Sequence, residues 1–485
     1  MGKRLSQNCF GESALEDIYS EKPREACGLF GIQDHADAAK LTYFGLYALQ
    51  HRGQESAGIA VVEENIMRQH KGMGLVAEVF NMPQLEQLKG RSAIGHVRYS
   101  TTGSSILTNA QPLVVQHRQR TYAVAHNGNL VNAHTLRNEL EETGSIFQTT
   151  MDSEVFLHLF VKNLGKGFEQ ALVETASRIK GAFSFVMLTN RGEVVGIKDP
   201  HGFRPLSLGK LNGSYVLASE TCALDLVQAE FIRSLDPGEI VIIGPNGVKS
   251  IRYAEPDKKR FCVFEFIYFA RPDSSIFGKT VYEVRKAHGR RLAREAPVSA
   301  DFVMPFPDSG NYAAIGYAQE SGIPFEMGMI RNHYVGRTFI QPTQSMRDFA
   351  VRIKLNPVRS LLKGKEIIII EDSIIRGTTV RTRVKALREL GVKRVHMRVS
   401  GPPHRFPCHY GIDFSTKGEL IAAKMSVPEL KEYLGLDSLH YLSLKGLLEA
   451  TGVEDPENSF CKACFDGCYP VSFDEDLSKN CLEIQ

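Results

Sequence analysis

The 485-residue chain lacks the features that mark several special classes of protein. Its 58 basic residues are balanced by 55 acidic ones, and this balance argues against a nucleic-acid-binding surface. No window approaches the roughly 18 apolar residues that a membrane-spanning helix needs. Residues 1–26 are polar, include acidic side chains and contain no apolar run of signal-peptide length, which argues against secretion. We therefore expect a cytoplasmic protein without nucleic-acid or membrane partners.

The nine cysteines are an odd number in a chain without an export signal, which argues for reduced thiols rather than a disulfide framework. Cys27 has an unusual position, because it ends a polar stretch and is followed at once by Gly28 and the apolar residues 29–32. This pattern predicts that the first buried strand begins immediately after a cysteine.

Hydrophobic patterning divides the chain into two parts. Up to about residue 251, short alternating strands punctuated by glycine are predicted at 57–62, 92–97, 121–125, 183–188, 193–197, 214–218 and 240–243, with helices near 133–142 and 153–177. Beyond a polar stretch at 251–260, helical patterns alternate with the solid apolar strands 302–307, 366–373 and 394–400, which is typical of a parallel sheet. We predict an α+β domain over 27–255 and an α/β domain over 256–485, whose tail is helical from about 426 and cysteine-rich at 459–470.

The segment "GKEIIIIEDSIIRGTT" (364–379) carries the clearest chemical signal of the second domain. Four isoleucines predict a strand buried on both faces, and helical spacing begins at Thr378. Ligands of open α/β sheets bind where strands end, and a helix N-terminus attracts phosphate. The adjacent carboxylates Glu371 and Asp372 would suit ribose hydroxyls, Mg²⁺ or both. An ordinary capped strand-to-helix turn is the alternative.

This segment resembles the phosphoribosyl pyrophosphate (PRPP) loop of type I phosphoribosyltransferases. The resemblance implies that Glu371 and Asp372 meet the ribose and Mg²⁺, with Ser309 as a further Mg²⁺ ligand. It also implies that PRPP is bound by a basic flap at 331–339, which contains Arg337. The 5-phosphate would lie in the loop formed by Ser373, Ile374, Ile375, Arg376, Gly377, Thr378 and Thr379.

Five polar motifs occur in order in the first domain: Cys27-Gly28, "QHRGQES" (50–56), "GHVRYSTTG" (95–103), "AHNGNL" (125–130) and "TMDSE" (150–154). Any one of them alone would be an ordinary ion pair or hairpin turn. Together they resemble the motifs of the N-terminal-nucleophile glutamine amidotransferases. The implied fold is an N-terminal-nucleophile hydrolase domain, an αββα sandwich.

The resemblance implies a role for each motif. Cys27 is the nucleophile, and its α-amino group becomes the base once a propeptide, residues 1–26, is removed. Asn127 and Gly128 form the oxyanion hole. Arg98 holds the α-carboxylate of glutamine and Asp152 its α-ammonium. Arg52 is expected among the glutamine-binding residues.

Cys461 and Cys464 form a C-x-x-C pair, which alone is compatible with zinc, a redox pair or coincidence. The surroundings of Cys262 ("FCVFEFIYFARPD") and Cys408 ("PPHRFPCHYGID") resemble those of the bacterial iron–sulfur-containing glutamine PRPP amidotransferases. The resemblance implies a structural [4Fe–4S] cluster on these four thiolates. Cys468 competes with Cys464 as the fourth ligand.

The whole chain resembles these glutamine PRPP amidotransferases. The implied reaction moves the amide nitrogen of glutamine internally to C1 of PRPP, giving 5-phosphoribosylamine, glutamate and pyrophosphate, the first committed step of purine synthesis. Feedback by purine nucleotides and a homodimer or homotetramer are further expectations. The alternatives are an amidotransferase feeding a sugar phosphate isomerase domain and a PRPP-binding regulatory protein with vestigial catalysis. The loop at 371–379 argues against the first, and intact Cys27, Asn127 and Asp152 argue against the second.

Overall fold

The structure, a computed structural model, describes residues 27–99, 103–255, 259–332, 355–413, 416–473 and 482. The predicted propeptide, most of the predicted flap including Arg337, and the cysteines at 9 and 481 lie outside the described residues.

The first half is built from two antiparallel sheets and seven helices in its described residues. Its strands are β1 (Gly28–Gln33), β2 (Ser56–Glu63), β3 (Ile66–Met73), β4 (Ser92–Arg98), β5 (Leu113–His117), β6 (Arg120–Leu130), β7 (Gly181–Thr189), β8 (Val194–Lys198), β9 (Ser207–Leu211), β10 (Ser214–Ala218), β11 (Glu230–Ser234), β12 (Glu239–Gly244) and β13 (Gly247–Arg252). Its helices are α1 (Ala38–Ala48), α2 (Val76–Val79), α3 (Met82–Gln87), α4 (Ala133–Glu142), α5 (Asp152–Asn163), α6 (Phe168–Arg178) and α7 (Thr221–Leu226).

The two sheets stack face to face with helices on both outer faces. One sheet has the order β11-β9-β10-β1-β4-β2-β3 and the other β13-β12-β8-β7-β6-β5. Inward-facing residues such as Leu29 and Ile94 of the first sheet and Val186 of the second share one buried cluster. A second cluster packs α1 and α7 on the first sheet, and a third packs α4, α5 and α6 on the second. The layers therefore follow the order helix, sheet, sheet, helix.

The single helix predicted at 153–177 is wrong, because the chain forms α5 and α6 with a short 3-10 turn (Leu164–Lys166) between them. Gly167 stands before α6 with φ of +99°, a left-handed conformation that ends a regular helix at low cost only for glycine. The apolar spacing of Phe160, Leu164 and Phe168 continues through the break, so the pattern concealed it.

The second half contains a four-stranded parallel sheet in the order β17-β20-β21-β22. Its strands are β14 (Phe261–Cys262), β15 (Ser275–Ile276), β16 (Lys279–Thr280), β17 (Phe302–Pro305), β18 (Met329–Arg331), β19 (Leu355–Pro357), β20 (Glu366–Glu371), β21 (Arg394–Val399), β22 (Ser438–Tyr441) and β23 (Phe460–Cys461). Its helices are α8 (Val281–Glu295), α9 (Asn311–Ser321), α10 (Arg359–Leu362), α11 (Thr378–Glu389), α12 (Ile421–Lys424), α13 (Val427–Leu434), α14 (Leu444–Ala450), α15 (Pro456–Ser459) and α16 (Ala463–Asp466), and a π-helical turn covers Glu265–Phe269.

Helices cover both faces of the parallel sheet, with α8, α9 and α14 on one side and α11 and α13 on the other. The tail predicted as helical also contributes β22, an edge strand of this sheet. Within the described ranges, no helix combines the length and the apolar character that crossing a bilayer requires.

Candidate active sites

Cys27 lies where β1 begins and β4 ends. Its thiol donates to the carbonyl oxygen of Tyr99 over 3.3 Å, and its own carbonyl accepts from Nε of Arg52 over 3.3 Å. The antiparallel register of β1 and β4 pairs Gly28 with Val97, which brings the start of one strand to the end of the other. The side chain is only 8% exposed. The folded sheet therefore holds the thiol at a fixed, nearly buried position.

The predicted oxyanion pair lies on β6. Asn127 is 1% exposed, and its Nδ2 has no hydrogen-bond partner among the described residues. Gly128 has φ of +139°, and a Cβ there would stand 2.0 Å from the carbonyl oxygen of Ala182, so only glycine fits. A buried amide donor without a partner costs about 1–3 kcal/mol, which is typical of a group kept for a ligand.

The groups predicted to hold glutamine are buried beside this strand. Arg98, the last residue of β4, donates to the carbonyl oxygens of Ser104 and Gly103 over 3.2 and 3.3 Å. Asp152, the first residue of α5, accepts from the backbone N–H of Leu130 over 3.0 Å and lies 3.3 Å from Nδ1 of His126. Burial alone would raise the pKa of the Asp152 carboxyl, but His126 and the N–H donors hold this pKa below its ordinary value. Asp152 is therefore ionised and suited to an ammonium group.

A histidine joins the strand of Arg98 to the strand of Asn127. His96 of β4 is fully buried, and its Nε2 lies 3.0 Å from the carbonyl oxygen of His126. Burial, together with the positive charge of Arg98, lowers the pKa of His96 to about 3. The ring is therefore neutral, and its Nε2–H donates across the space between the two sheets.

Arg52 is part of a buried ion network below Cys27. Its Nη2 and Nη1 donate to Glu265 over 2.7 and 3.0 Å, and Nη1 also pairs with Glu220. Arg204 donates to the same Glu265 over 3.1 Å. Burial works to lower the pKa of Arg52, yet the two carboxylates raise it above its ordinary value. The contact of Arg52 with glutamine stays a prediction, because the hydrogen bonds of its guanidinium go to the carbonyl oxygen of Cys27 and to the carboxylates of Glu220 and Glu265.

Glu220, Glu265 and Arg204 were missed by the sequence reasoning. The sequence did indicate that Glu265 is buried and paired, since an acid inside the aromatic run 264–269 must find a buried partner. Glu220 and Arg204 are single charged residues in ordinary sequence surroundings, and nothing in the sequence indicated their burial or their partners.

The carboxyl end of β20 gathers the predicted PRPP and Mg²⁺ groups. Glu371 and Asp372 are each 1% exposed, and Ser373 donates its hydroxyl to Asp372 over 2.5 Å. Ser309 precedes Gly310, where a Cβ would stand 2.4 Å from the carbonyl oxygen of Ile370. The fold therefore places Ser309 beside the strand end that carries both carboxylates.

The predicted phosphate loop leads into α11. Gly377, with φ of +78°, precedes the helix, and Thr378 and Thr379 form its first turn. Ile374 and Ile375 have buried side chains, so only their backbone could contact a ligand. Arg376 pairs with Glu419 over 2.6 Å.

Cys262, Cys408, Cys461 and Cys464 line one cavity, together with Arg204 and Tyr410 among other residues. Parallel pairing of β14 with β23 sets Cys262 directly opposite Cys461. Burial raises the pKa of all four thiols, that of Cys408 to about 12, so each is protonated unless a metal displaces the proton. Cys468 is exposed and is not among the lining residues.

Within the described residues, no three His, Cys, Asp or Glu side chains converge as on a single metal ion. A tetrahedral zinc site needs sulfurs about 2.3 Å from one centre, whereas a cluster separates its ligands over several irons.

Comparison with known proteins identifies the class of protein to which the chain belongs. Residues 96–226 match the family model of a glutamine amidotransferase domain. The amidophosphoribosyltransferase of Synechocystis sp. is 50% identical over 478 residues, which cover 97% of this chain and 96% of that protein. The amidophosphoribosyltransferase of Staphylococcus aureus is 48% identical over 451 residues, 92% of this chain and 91% of that protein.

The solved structure of glutamine PRPP amidotransferase from B. subtilis, complexed with ADP and GMP, superimposes with a TM-score of 0.88 at 46% identity and covers 93% of this chain and 98% of that one. The chain belongs to the amidophosphoribosyltransferase family. The family predicted from the motifs is confirmed, as is the combination of an N-terminal-nucleophile hydrolase fold with a phosphoribosyltransferase fold.

Proposed function

We propose that this chain transfers the amide nitrogen of glutamine to C1 of PRPP and so performs the first step of purine biosynthesis. The observation that carries this function is similarity to amidophosphoribosyltransferases over nearly the whole chain. In the structure, one chain holds the nearly buried thiol of Cys27, the buried amide of Asn127 without a hydrogen-bond partner among the described residues, and an acidic strand end that leads into a helix N-terminus.

The first half hydrolyses glutamine. With the chain cleaved before Cys27, the new α-amino group takes the thiol proton and the sulfur attacks the side-chain amide carbon of glutamine. Asn127 and the backbone N–H of Gly128 stabilise the oxyanion. When the tetrahedral intermediate collapses, the α-ammonium gives its proton to the departing nitrogen, the C–N bond breaks and ammonia leaves. Water then hydrolyses the thioester to glutamate and restores the thiol of Cys27. Arg98 and Asp152 orient the substrate through its α-carboxylate and α-ammonium.

The second half uses the ammonia. The nitrogen attacks C1 of PRPP, the C1–oxygen bond breaks and pyrophosphate leaves. The π-helical turn Glu265–Phe269 supports internal transfer, because it reaches towards both sites. At one end, Glu265 pairs with Arg52 below Cys27. Further along the turn, Ile267 packs on Gly401, where a Cβ would stand 3.1 Å from the carbonyl oxygen of Asp372. A buried apolar segment between the two sites would keep ammonia away from water.

Mg²⁺ fits the end of β20, because the donor set of Glu371, Asp372 and Ser309 is all oxygen, and Mg²⁺ commonly binds one or two carboxylates and completes its shell with substrate phosphates. It would neutralise charge on the pyrophosphate. The loop 373–379 would hold the 5-phosphate through its N–H groups.

A [4Fe–4S] cluster fits the cavity of Cys262, Cys408, Cys461 and Cys464, since four thiols line it and Arg204 offers a cation beside thiolate charge. Its role would be structural. The position of Cys464 in the cavity and the exposure of Cys468 favour Cys464 as the fourth ligand.

Regulation and assembly follow the same proposal. The B. subtilis structure contains ADP and GMP, and we expect purine nucleotides to inhibit this chain as well. Exposed Phe44 and Tyr47 on α1 and Leu226 on α7 support a homodimer or homotetramer, which light scattering would detect. We expect the enzyme in the cytoplasm.

The test compares Cys27→Ala with Cys222→Ala, which removes another buried thiol of the same half. Cys27→Ala should abolish synthesis of phosphoribosylamine from glutamine and keep synthesis from ammonia, whereas Cys222→Ala should keep both. Loss of both activities in Cys27→Ala would contradict the two-site model. PRPP binding without any turnover in the wild type would favour a regulatory protein. The intact mass of active protein should correspond to a chain that begins at Cys27.

A further inference from the structure

The strand that carries the oxyanion pair continues into a contact with the other half of the chain. Asn129, one residue beyond Gly128, donates from Nδ2 to the carbonyl oxygen of His409 over 3.0 Å. His409 belongs to the loop 408–411, which starts at Cys408 of the cysteine cavity.

A second contact joins the same loop to Gly128 itself. Gly411 has φ of +100°, and a Cβ there would stand 3.3 Å from the Cα and carbonyl carbon of Gly128 and 3.0 Å from Nη2 of Arg204. That Nη2 donates to the carbonyl oxygens of Tyr410 and Gly411. The loop thus packs directly on the backbone of the oxyanion strand.

We propose that Asn129 is a positioning residue for glutamine hydrolysis: it ties the oxyanion strand to the loop 408–411, so that the group held by the four cysteines keeps Gly128 in its working position. This inference rests on the proposed hydrolysis of glutamine at Cys27 and on a metal cluster in the cavity. No element of the known motifs required a role for Asn129, because its neighbours Asn127 and Gly128 account for the oxyanion hole.

The effect should be confined to the transition state. The oxyanion exists only during attack and collapse, so a displaced donor lowers kcat and leaves the KM for glutamine nearly unchanged. Complete loss of one oxyanion donor costs about 100- to 1,000-fold in kcat, and a displaced donor should cost less, about tenfold. Coupling between the oxyanion strand and the cysteine cavity acts in both directions. Loss of the Asn129 hydrogen bond should therefore also weaken the binding of metal by Cys408.

The experiment compares Asn129→Ala with Asn132→Ala. Asn132 also donates from Nδ2 to a backbone carbonyl, that of Arg178 over 3.1 Å, but it does not share the contact with the loop. The measurements are kcat and KM with glutamine, kcat with ammonia, and the rate at which a chelator removes iron from protein purified without oxygen. Gly411→Ala, which disturbs the contact from the other side, provides a second variant.

Asn129→Ala and Gly411→Ala should lower the glutamine-dependent kcat about tenfold, keep the KM for glutamine and the ammonia-dependent kcat, and release iron faster than Asn132→Ala. Equal behaviour of Asn129→Ala and Asn132→Ala, or a change in KM alone, would overturn the inference while leaving the proposed function intact. A wild type that makes no product from glutamine, or that contains no iron, would overturn the proposed function or its cofactor, and with it this inference.

Discussion

Neutralising the buried carboxylate of Glu265 should destabilise the chain far more than neutralising an exposed carboxylate in an equally short ion pair. Glu265 is fully buried and accepts three hydrogen bonds from Arg52 and Arg204, at 2.7, 3.0 and 3.1 Å. Together with Glu220 it balances the two guanidinium charges. Glu265→Gln keeps the shape of the side chain but leaves one positive charge without a counter-ion in the interior, which typically costs about 3–5 kcal/mol.

The matched control is Glu169→Gln. Glu169 pairs with Lys249 at 2.6 and 2.7 Å, but both side chains are at least half exposed, and pairs of this kind contribute about 0–1 kcal/mol. For the unfolding of one half of the chain, such as residues 27–255, 1 kcal/mol corresponds to roughly 2–4 °C. The Tm of that transition should therefore fall by about 6–20 °C for Glu265→Gln and by no more than about 4 °C for Glu169→Gln. Circular dichroism during heating measures both values.

Charge balance provides a second check. Adding Arg204→Met to Glu265→Gln removes the excess positive charge while Arg52 stays paired with Glu220. It should restore part of the lost stability, because a buried pair that is removed completely costs less than a broken one. Similar Tm values for Glu265→Gln and Glu169→Gln, or a double variant less stable than Glu265→Gln, would refute the electrostatic reasoning.

Three further outcomes are expected. Asn127→Ala should lower the glutamine-dependent kcat by about 100- to 1,000-fold and spare the ammonia-dependent rate, and an equal loss in both assays would contradict an oxyanion role. His96 and His288 have a pKa that burial lowers from 6.5 to about 3, so between these values only the unfolded chain takes up their protons. The free energy of unfolding, measured by denaturant titration, should therefore fall as the pH is lowered from 6.5. The slope of this free energy against pH gives the number of protons taken up on unfolding, and His288→Gln should reduce that number by about one; an unchanged slope would argue against a buried neutral ring. Cys461→Ser should lose iron and acid-labile sulfide while Cys468→Ser keeps both, and zinc in place of iron would contradict the cluster.

Local patterns predicted most strands of the first half closely. The expected strand at 214–218 is β10 with the same bounds, and the expected helix at 133–142 is α4. Alternating apolar residues with flanking glycines determine such elements locally. The strand β22 (Ser438–Tyr441) was not predicted, because a four-residue edge strand with two polar side chains shows little periodicity. Its extended conformation is stabilised by pairing with β21, a contact that the local sequence does not reveal.

The chemistry-bearing residues were predicted by motif, but their supporting partners were not. Arg52 meets Glu220 and Glu265 at separations of 168 and 213 residues, and no local pattern records contacts of that range. Asp152 could be chosen from "TMDSE", whereas its pairing with His126 depends on how α5 packs against β6. Burial and long-range charge balance are properties of the folded chain, which explains why the sequence revealed the reactive groups before their surroundings.

The pairing of Cys262 with Cys461 also sets an order of events during synthesis. About 200 residues separate the two, and at roughly 5–20 residues per second a ribosome needs about 10–40 s to make them. Throughout that time Arg204 lacks the wall that β23 and α16 supply, and the loop 408–411, which is made late in the same interval, lacks it as well. A chain interrupted in this interval would carry every glutaminase motif and still lack the closed cavity, so the support of the early half is complete only after the last segments have been made.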